Sequence, residues 1–201
     1  MKTYLDFCLE PTKNGTVLYQ KAAGWANIED KIPANNETMF RIASMSKSFT
    51  TMAILQLRDA GKLKLDDPID QYIPAMKGQV LTKDGAPITI RHLMSHSAGF
   101  PEDNPWGDRQ LADSEKDLTD LISGKLSFSN VAGTEYEYSN LGFAMLGYII
   151  HKASGLSYDV YIQKNILNPL GMNATTYEYT IIQKDKFAFG YRYINNIWRK
   201  E

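Results

Sequence analysis

The chain has 201 residues, a formal net charge of −1, and 43% hydrophobic and 22% charged residues, an ordinary globular composition long enough to bury a sizeable core. That balance, without any basic tract or G-x-x-x-x-G-K phosphate loop, argues against nucleic acid, an anionic membrane or a nucleotide as partner. Cys8 is the sole cysteine, so no intrachain disulfide can form, and no apolar run approaches the ~18 residues expected of a membrane-spanning helix. The opening residues lack the uninterrupted apolar run of a secretory signal. The expected localisation is cytoplasmic for the chain as it stands, and periplasmic or extracellular if a leader has been removed.

Asn14-Gly15, between Phe7-Cys8-Leu9 and Val17-Leu18-Tyr19, predicts a β-hairpin with a tight turn, its second strand running on through Ala22, Ala23 and Trp25. Residues 29–38 read as a polar loop. From Ser44 a helix is predicted that carries Phe49, Met52, Ala53, Leu55 and Leu57, apolar over most of its circumference and stopped by Gly61. Residues 62–87 are irregular, punctuated by Pro68, Pro74 and Pro87. A short helix is expected from Thr89 to Ser95, then a polar, Asp-rich stretch over 102–117. Longer helices follow at Asn140–Lys152, closed by Gly155, and at Tyr158–Leu167, stopped by Asn168-Pro169 and Gly171. The aromatic-rich residues 176–199 alternate as extended segments do. A lone hairpin is marginal without further strands or a helix packed on it.

The element with the most chemistry is Ser44-Met45-Ser46-Lys47. Residues three apart on a helix share a face, so Lys47 can reach the Ser44 oxygen. The partial positive charge at a helix N-terminus favours an alkoxide there, and a neutral lysine can serve as its general base. Among 12 serines and 16 lysines, roughly one S-x-x-K arises by chance, and this is the only one present. On spacing alone, a serine capping a core helix with an exposed lysine after it is the better reading of the match.

Four stretches in order decide between these readings: Phe40-Arg41-Ile42-Ala43-Ser44-Met45-Ser46-Lys47, Ile90-Arg91-His92-Leu93-Met94-Ser95-His96-Ser97-Ala98-Gly99-Phe100, Tyr138-Ser139-Asn140-Leu141-Gly142-Phe143 and Asn168-Pro169-Leu170-Gly171-Met172. Together they resemble the serine β-lactamase and penicillin-binding-protein superfamily, nearest its class C β-lactamase and esterase-like branch. The resemblance implies an α+β, β-lactamase/transpeptidase-like fold with an incomplete central sheet. Residues 1–60 would be the N-terminal portion of the α/β domain (hairpin and nucleophile helix), and 61–201 a mainly helical domain carrying the Tyr-x-Asn motif. It also implies that Ser44 is the acylated nucleophile, Lys47 its proton acceptor, Tyr138 a proton shuttle to the leaving group, and Asn140 the residue that orients Lys47 and bonds the substrate. No cofactor is implied, and the partner would be a small-molecule or peptide substrate.

Several residues keep two readings. Tyr193-Ile194-Asn195 is a second Tyr-x-Asn, so the motif alone does not select Tyr138. His92 and His96 stand at metal-ligand spacing, yet no acidic residue lies within the pair and no third ligand lies nearby; in the resembled family these positions help hold a loop together. His151 reads as an exposed helix residue. Trp106 could touch substrate or pack on the helical domain.

The resembled family carries a third motif, K-T-G or H-x-G, on a strand that lines the cleft. None of His151, Lys152, Lys164, Lys184, Lys186 or Lys200 begins one. The expectation is the N-terminal and helical portion of a longer serine hydrolase acting on an ester, amide or β-lactam. An exposed sheet edge would invite self-association. The alternative is a non-catalytic module that uses the same cleft to bind a peptidoglycan-like peptide or a protein partner.

Overall fold

The computed structural model describes residues 7–83, 85–103 and 114–200; Trp106 lies outside them. The chain divides into two compact units, one of residues 1–43 with 173–201 and one of residues 44–172.

The first unit is built from short strands: β1 (Phe7–Leu9), β2 (Thr12–Lys13), β3 (Thr16–Val17), β4 (Lys21–Ala23), β5 (Trp25–Asn27), β6 (Ile32–Pro33), β7 (Tyr191–Ile194) and β8 (Ile197–Lys200). Among the described residues they form four two-stranded antiparallel ladders: β1 with β4, β2 with β3, β5 with β6 and β7 with β8. The expected hairpin is present. Asn14 (φ 51) and Gly15 (φ 75) both take the positive φ that a two-residue type I′ turn demands. Its ladder breaks between β1 and β2, where Pro11 has no N–H to donate. The polar loop over 29–38 contains a strand that the sequence reading left out, because Ile32 and Pro33 pair back on β5. Tyr193-x-Asn195, the competing motif, is spent on a second type I′ hairpin with Asn195 at φ 52 and Asn196 at φ 63. Asn27, 2% exposed, anchors this unit. It donates to Asp30 Oδ2 at 2.7 Å and accepts from the Tyr191 hydroxyl at 3.2 Å.

The second unit is helical: α1 (Lys47–Asp59), α2 (Ile90–Met94), α3 (Glu115–Ser123), α4 (Asn140–Ser154) and α5 (Tyr158–Ile162), the last running into a π-helical turn at Gln163–Leu167. Helix α1 packs on α4 and α5, and α2 packs on α4. Ala53, Ile54 and Leu57 of α1 meet Met145, Leu146, Ile149 and Ile150 of α4 in one apolar core, joined by Ile162, Ile166 and Leu167. Full burial of each large aliphatic side chain contributes ~1.5–3 kcal/mol, so this seam dominates the stability of the unit. The expectation that α1 is apolar nearly all round holds on its core side, while Met52 stays 41% exposed.

Helix α3 was not foreseen. Ser114 accepts from Asp117 N at 3.2 Å while the Asp117 carboxylate takes Ser114 N at 3.0 Å, a capping box with Asp in place of the usual Glu. Helix α4 ends as its sequence implies, with Gly155 left-handed at φ 75. A Cβ there would meet open space, so Gly155→Ala carries backbone strain alone and is expected to cost ~1–2 kcal/mol, read as a lowered urea midpoint.

Candidate active site

Ser44 does not lie in an α-helix. It sits in a 3-10 turn, Ala43–Ser46, that leads into α1. Lys47 is the first residue of α1, so the pair spans the junction of the turn and the helix. Ala43, immediately before the serine, is left-handed at φ 45, a conformation that disfavours any residue with a Cβ. Ser44 is exposed and Lys47 half-buried.

The four residues singled out from the sequence meet. Lys47 Nζ donates to Ser44 Oγ at 3.3 Å and to Asn140 Oδ1 at 2.7 Å. Tyr138 donates its phenolic proton to Ser44 Oγ at 2.7 Å across 94 residues of chain. Ser44 Oγ therefore receives two donors, an arrangement that stabilises negative charge developing on it. Asn140 is 2% exposed, so the Lys47 head is held against a fixed partner. The Lys47 ammonium also lies 4.9 Å from the centre of the Tyr138 ring and 5.5 Å from that of Phe143, within cation–π range.

Two further residues contact the Tyr138-Ser139-Asn140 segment. His96, left-handed at φ 55, stacks on Tyr138 with ring centres 4.5 Å apart, and its Nδ1 accepts from Ser139 N at 3.0 Å. Asp103 takes the backbone N–H groups of Asn140 and Leu141 and the hydroxyl of Ser139. His92 Nδ1 accepts from Thr89 N at 3.2 Å and closes the capping box of α2. Both histidines at metal-ligand spacing therefore spend Nδ1 on a backbone N–H. His151 is half-buried rather than exposed, bonded through Nδ1 to Glu115 Oε1. The sequence carried no signal for Asp103 beyond an acidic residue in a polar stretch.

Burial holds the His96 pKa below the ordinary histidine value, the Lys47 charge lowers it further, and Asp103 opposes them. His92 is likewise lowered, chiefly by burial, with Arg91 adding to that and Asp66 opposing. In the unfolded chain each ring titrates near ~6.5. As pH falls below that value the unfolded chain binds protons that the folded one refuses, so stability is full above about pH 6.5 and is lost on the acid side. His96→Asn keeps an acceptor near the Nδ1 position and tolerates the left-handed backbone. Its urea midpoint is expected to fall less between about pH 7 and 5 than that of the parent chain.

A serine aligned with a lysine three residues on and bonded to a tyrosine of a Tyr-x-Asn motif, in a helical unit, is the arrangement of the β-lactamase/transpeptidase class of fold. The chain belongs to the Beta-lactamase family, whose model matches residues 11–200. It is 33% identical over 189 residues to a penicillin-binding protein of Bacillus subtilis, covering 90% of this chain and 40% of that protein. Among solved structures it is similar to the octameric penicillin-binding protein homologue from Pyrococcus abyssi, with TM-score 0.79, 31% identity, and coverage of 94% of this chain and 44% of that one. A class C β-lactamase aligns with TM-score 0.74 and 28% identity over 90% of this chain and 48% of its own. The chain spans about two-fifths of the length of the curated relatives it matches.

Proposed function

We propose that the chain carries the acylation centre of a serine hydrolase in which Ser44 attacks the carbonyl carbon of an ester, amide or β-lactam. The observation that carries this reading is the convergence of Lys47 Nζ and the Tyr138 hydroxyl on Ser44 Oγ, with Lys47 tethered to buried Asn140. Lys47 must first give up a proton to solvent; its free amine then takes the Ser44 proton as the new C–O bond forms. Tyr138, 2.7 Å from the same oxygen, protonates the departing nitrogen or oxygen as the tetrahedral intermediate collapses. Its own proton is replaced from Lys47 through the hydrogen-bonded set. Water then releases the acyl group and restores Ser44. Asn140 holds Lys47 in reach.

Relatives described as penicillin-binding protein and class C β-lactamase support a carbonyl substrate of this range. Incubation with a labelled penicillin and, separately, with a p-nitrophenyl ester is expected to leave an acyl mass on the peptide containing Ser44. Saturable binding of either compound without any adduct, unchanged in Ser44→Ala, would instead make the chain a binding module.

A further inference from the structure

We propose that Asp103 is a positioning residue for acylation, fixing the Tyr138-Ser139-Asn140 segment so that its first and last side chains meet Ser44 and Lys47. The inference rests on the acyl-transfer reading above and extends it to a residue that touches none of the reacting atoms.

Asp103 Oδ1 accepts from Asn140 N at 2.7 Å, and Oδ2 accepts from Leu141 N at 2.8 Å and from Ser139 Oγ at 3.1 Å. Three donors of consecutive residues thus converge on one carboxylate at the start of the 15-residue helix α4. Ser139 Oγ in turn accepts from Gly142 N at 3.0 Å, so the carboxylate, the serine and the first turn form one closed set. Ser139 and Asn140 are 3% and 2% exposed, which leaves the segment little room to settle elsewhere. A helix N-terminus also favours the negative charge.

The chemistry depends on that placement at both ends. Tyr138 must stay 2.7 Å from Ser44 Oγ, and Asn140 Oδ1 must stay 2.7 Å from Lys47 Nζ. A rotation of the segment that relieved one bond would break the other. His96 stacks on Tyr138 and takes Ser139 N, but its Nδ1 binds only the middle residue. Asp103 is what holds the backbone at Asn140 and Leu141. An asparagine in its place is isosteric yet has one acceptor oxygen, and its amide would face an N–H or O–H that needs an acceptor.

The test compares Asp103→Asn with the parent chain in saturation kinetics of a fluorophosphonate on Ser44. A misplacement of about 1 Å can cost ~10²-fold in rate, so the maximal rate of Ser44 phosphonylation should fall ~10- to 100-fold with the half-saturating concentration little changed. Amide hydrogen exchange at Asn140 and Leu141 should accelerate selectively. Parent-like acylation kinetics in a folded Asp103→Asn chain would overturn the proposal, even with a lowered melting temperature, because a purely structural cap moves stability alone. Should Asp103→Asn not fold, Ser139→Ala removes one of the three bonds; it should slow acylation less, and a parent-like rate would overturn the proposal. If the parent chain itself takes no label, the acyl-transfer reading fails, while exchange at Asn140 and Leu141 still decides whether Asp103 sets the segment.

Discussion

Lys47→Ala should slow acylation of Ser44 by ~10²–10⁴-fold, the range that a positioned general base contributes. The lysine bonds both the nucleophile and the second motif, at 3.3 Å from Ser44 Oγ and 2.7 Å from Asn140 Oδ1. Its loss leaves Tyr138 still donating to Ser44 Oγ, so the serine keeps a donor but loses the proton acceptor of the proposed mechanism. Lys47→Arg should not restore the rate, because a guanidinium stays protonated and cannot accept the proton. The cost to folding is smaller. Asn140 loses a charge-assisted hydrogen bond, ~1.5–3 kcal/mol, against an ordinary domain stability of ~5–15 kcal/mol. A well-folded chain with a collapsed acylation rate is therefore the expected phenotype, measured by stopped-flow labelling alongside urea unfolding. The same change removes one of the causes that lower the His96 pKa, so the acid-side loss of stability should weaken.

Gly99→Ala is expected to be the most damaging substitution of a small residue. Gly99 is left-handed at φ 84, and a Cβ built there would lie 2.1 Å from the backbone oxygen of Asn130. Left-handed strain alone costs ~1–2 kcal/mol, as at Gly155, and forced backbone movement adds to it, so ~3 kcal/mol or more is expected. The two chain segments that close on each other here are the ones that deliver the site. Ser129 N donates to Gly99 O, Gly133 N to Ser97 O and Glu137 N to His96 O. Spreading them moves His96 away from Tyr138, and with it the hydroxyl that must reach Ser44. The urea midpoint and the acylation rate should therefore fall together, whereas Gly155→Ala, with open space around it, should lower only the midpoint.

Local signals carried much of the fold. Asn14-Gly15 marked a turn because positive φ at two successive positions is costly for most residues. Ser139 and Gly155 bracketed α4, one accepting from Gly142 N and the other closing the left-handed end. Helix α3 escaped notice because its cap uses Asp117 where the capping-box pattern expects Glu or Gln. At the site, spacing shows only that Lys47 can reach Ser44; the resemblance singles out the pair and Tyr138, which 94 residues separate from Ser44. The competing Tyr193-x-Asn195 lies in a hairpin whose turn residues Asn195 and Asn196 take positive φ. Asp103 and His96 were invisible as a pair because they act on backbone N–H groups, which any sequence supplies.

The central claim is that Ser44 is an activated nucleophile. Intact-mass and peptide-mapping spectrometry of the chain after brief exposure to a fluorophosphonate tests it most directly. One adduct per chain, on Ser44 and absent in Ser44→Ala, is the predicted result. A folded chain that stays unlabelled, or that carries its label on another of its 12 serines, would contradict the claim.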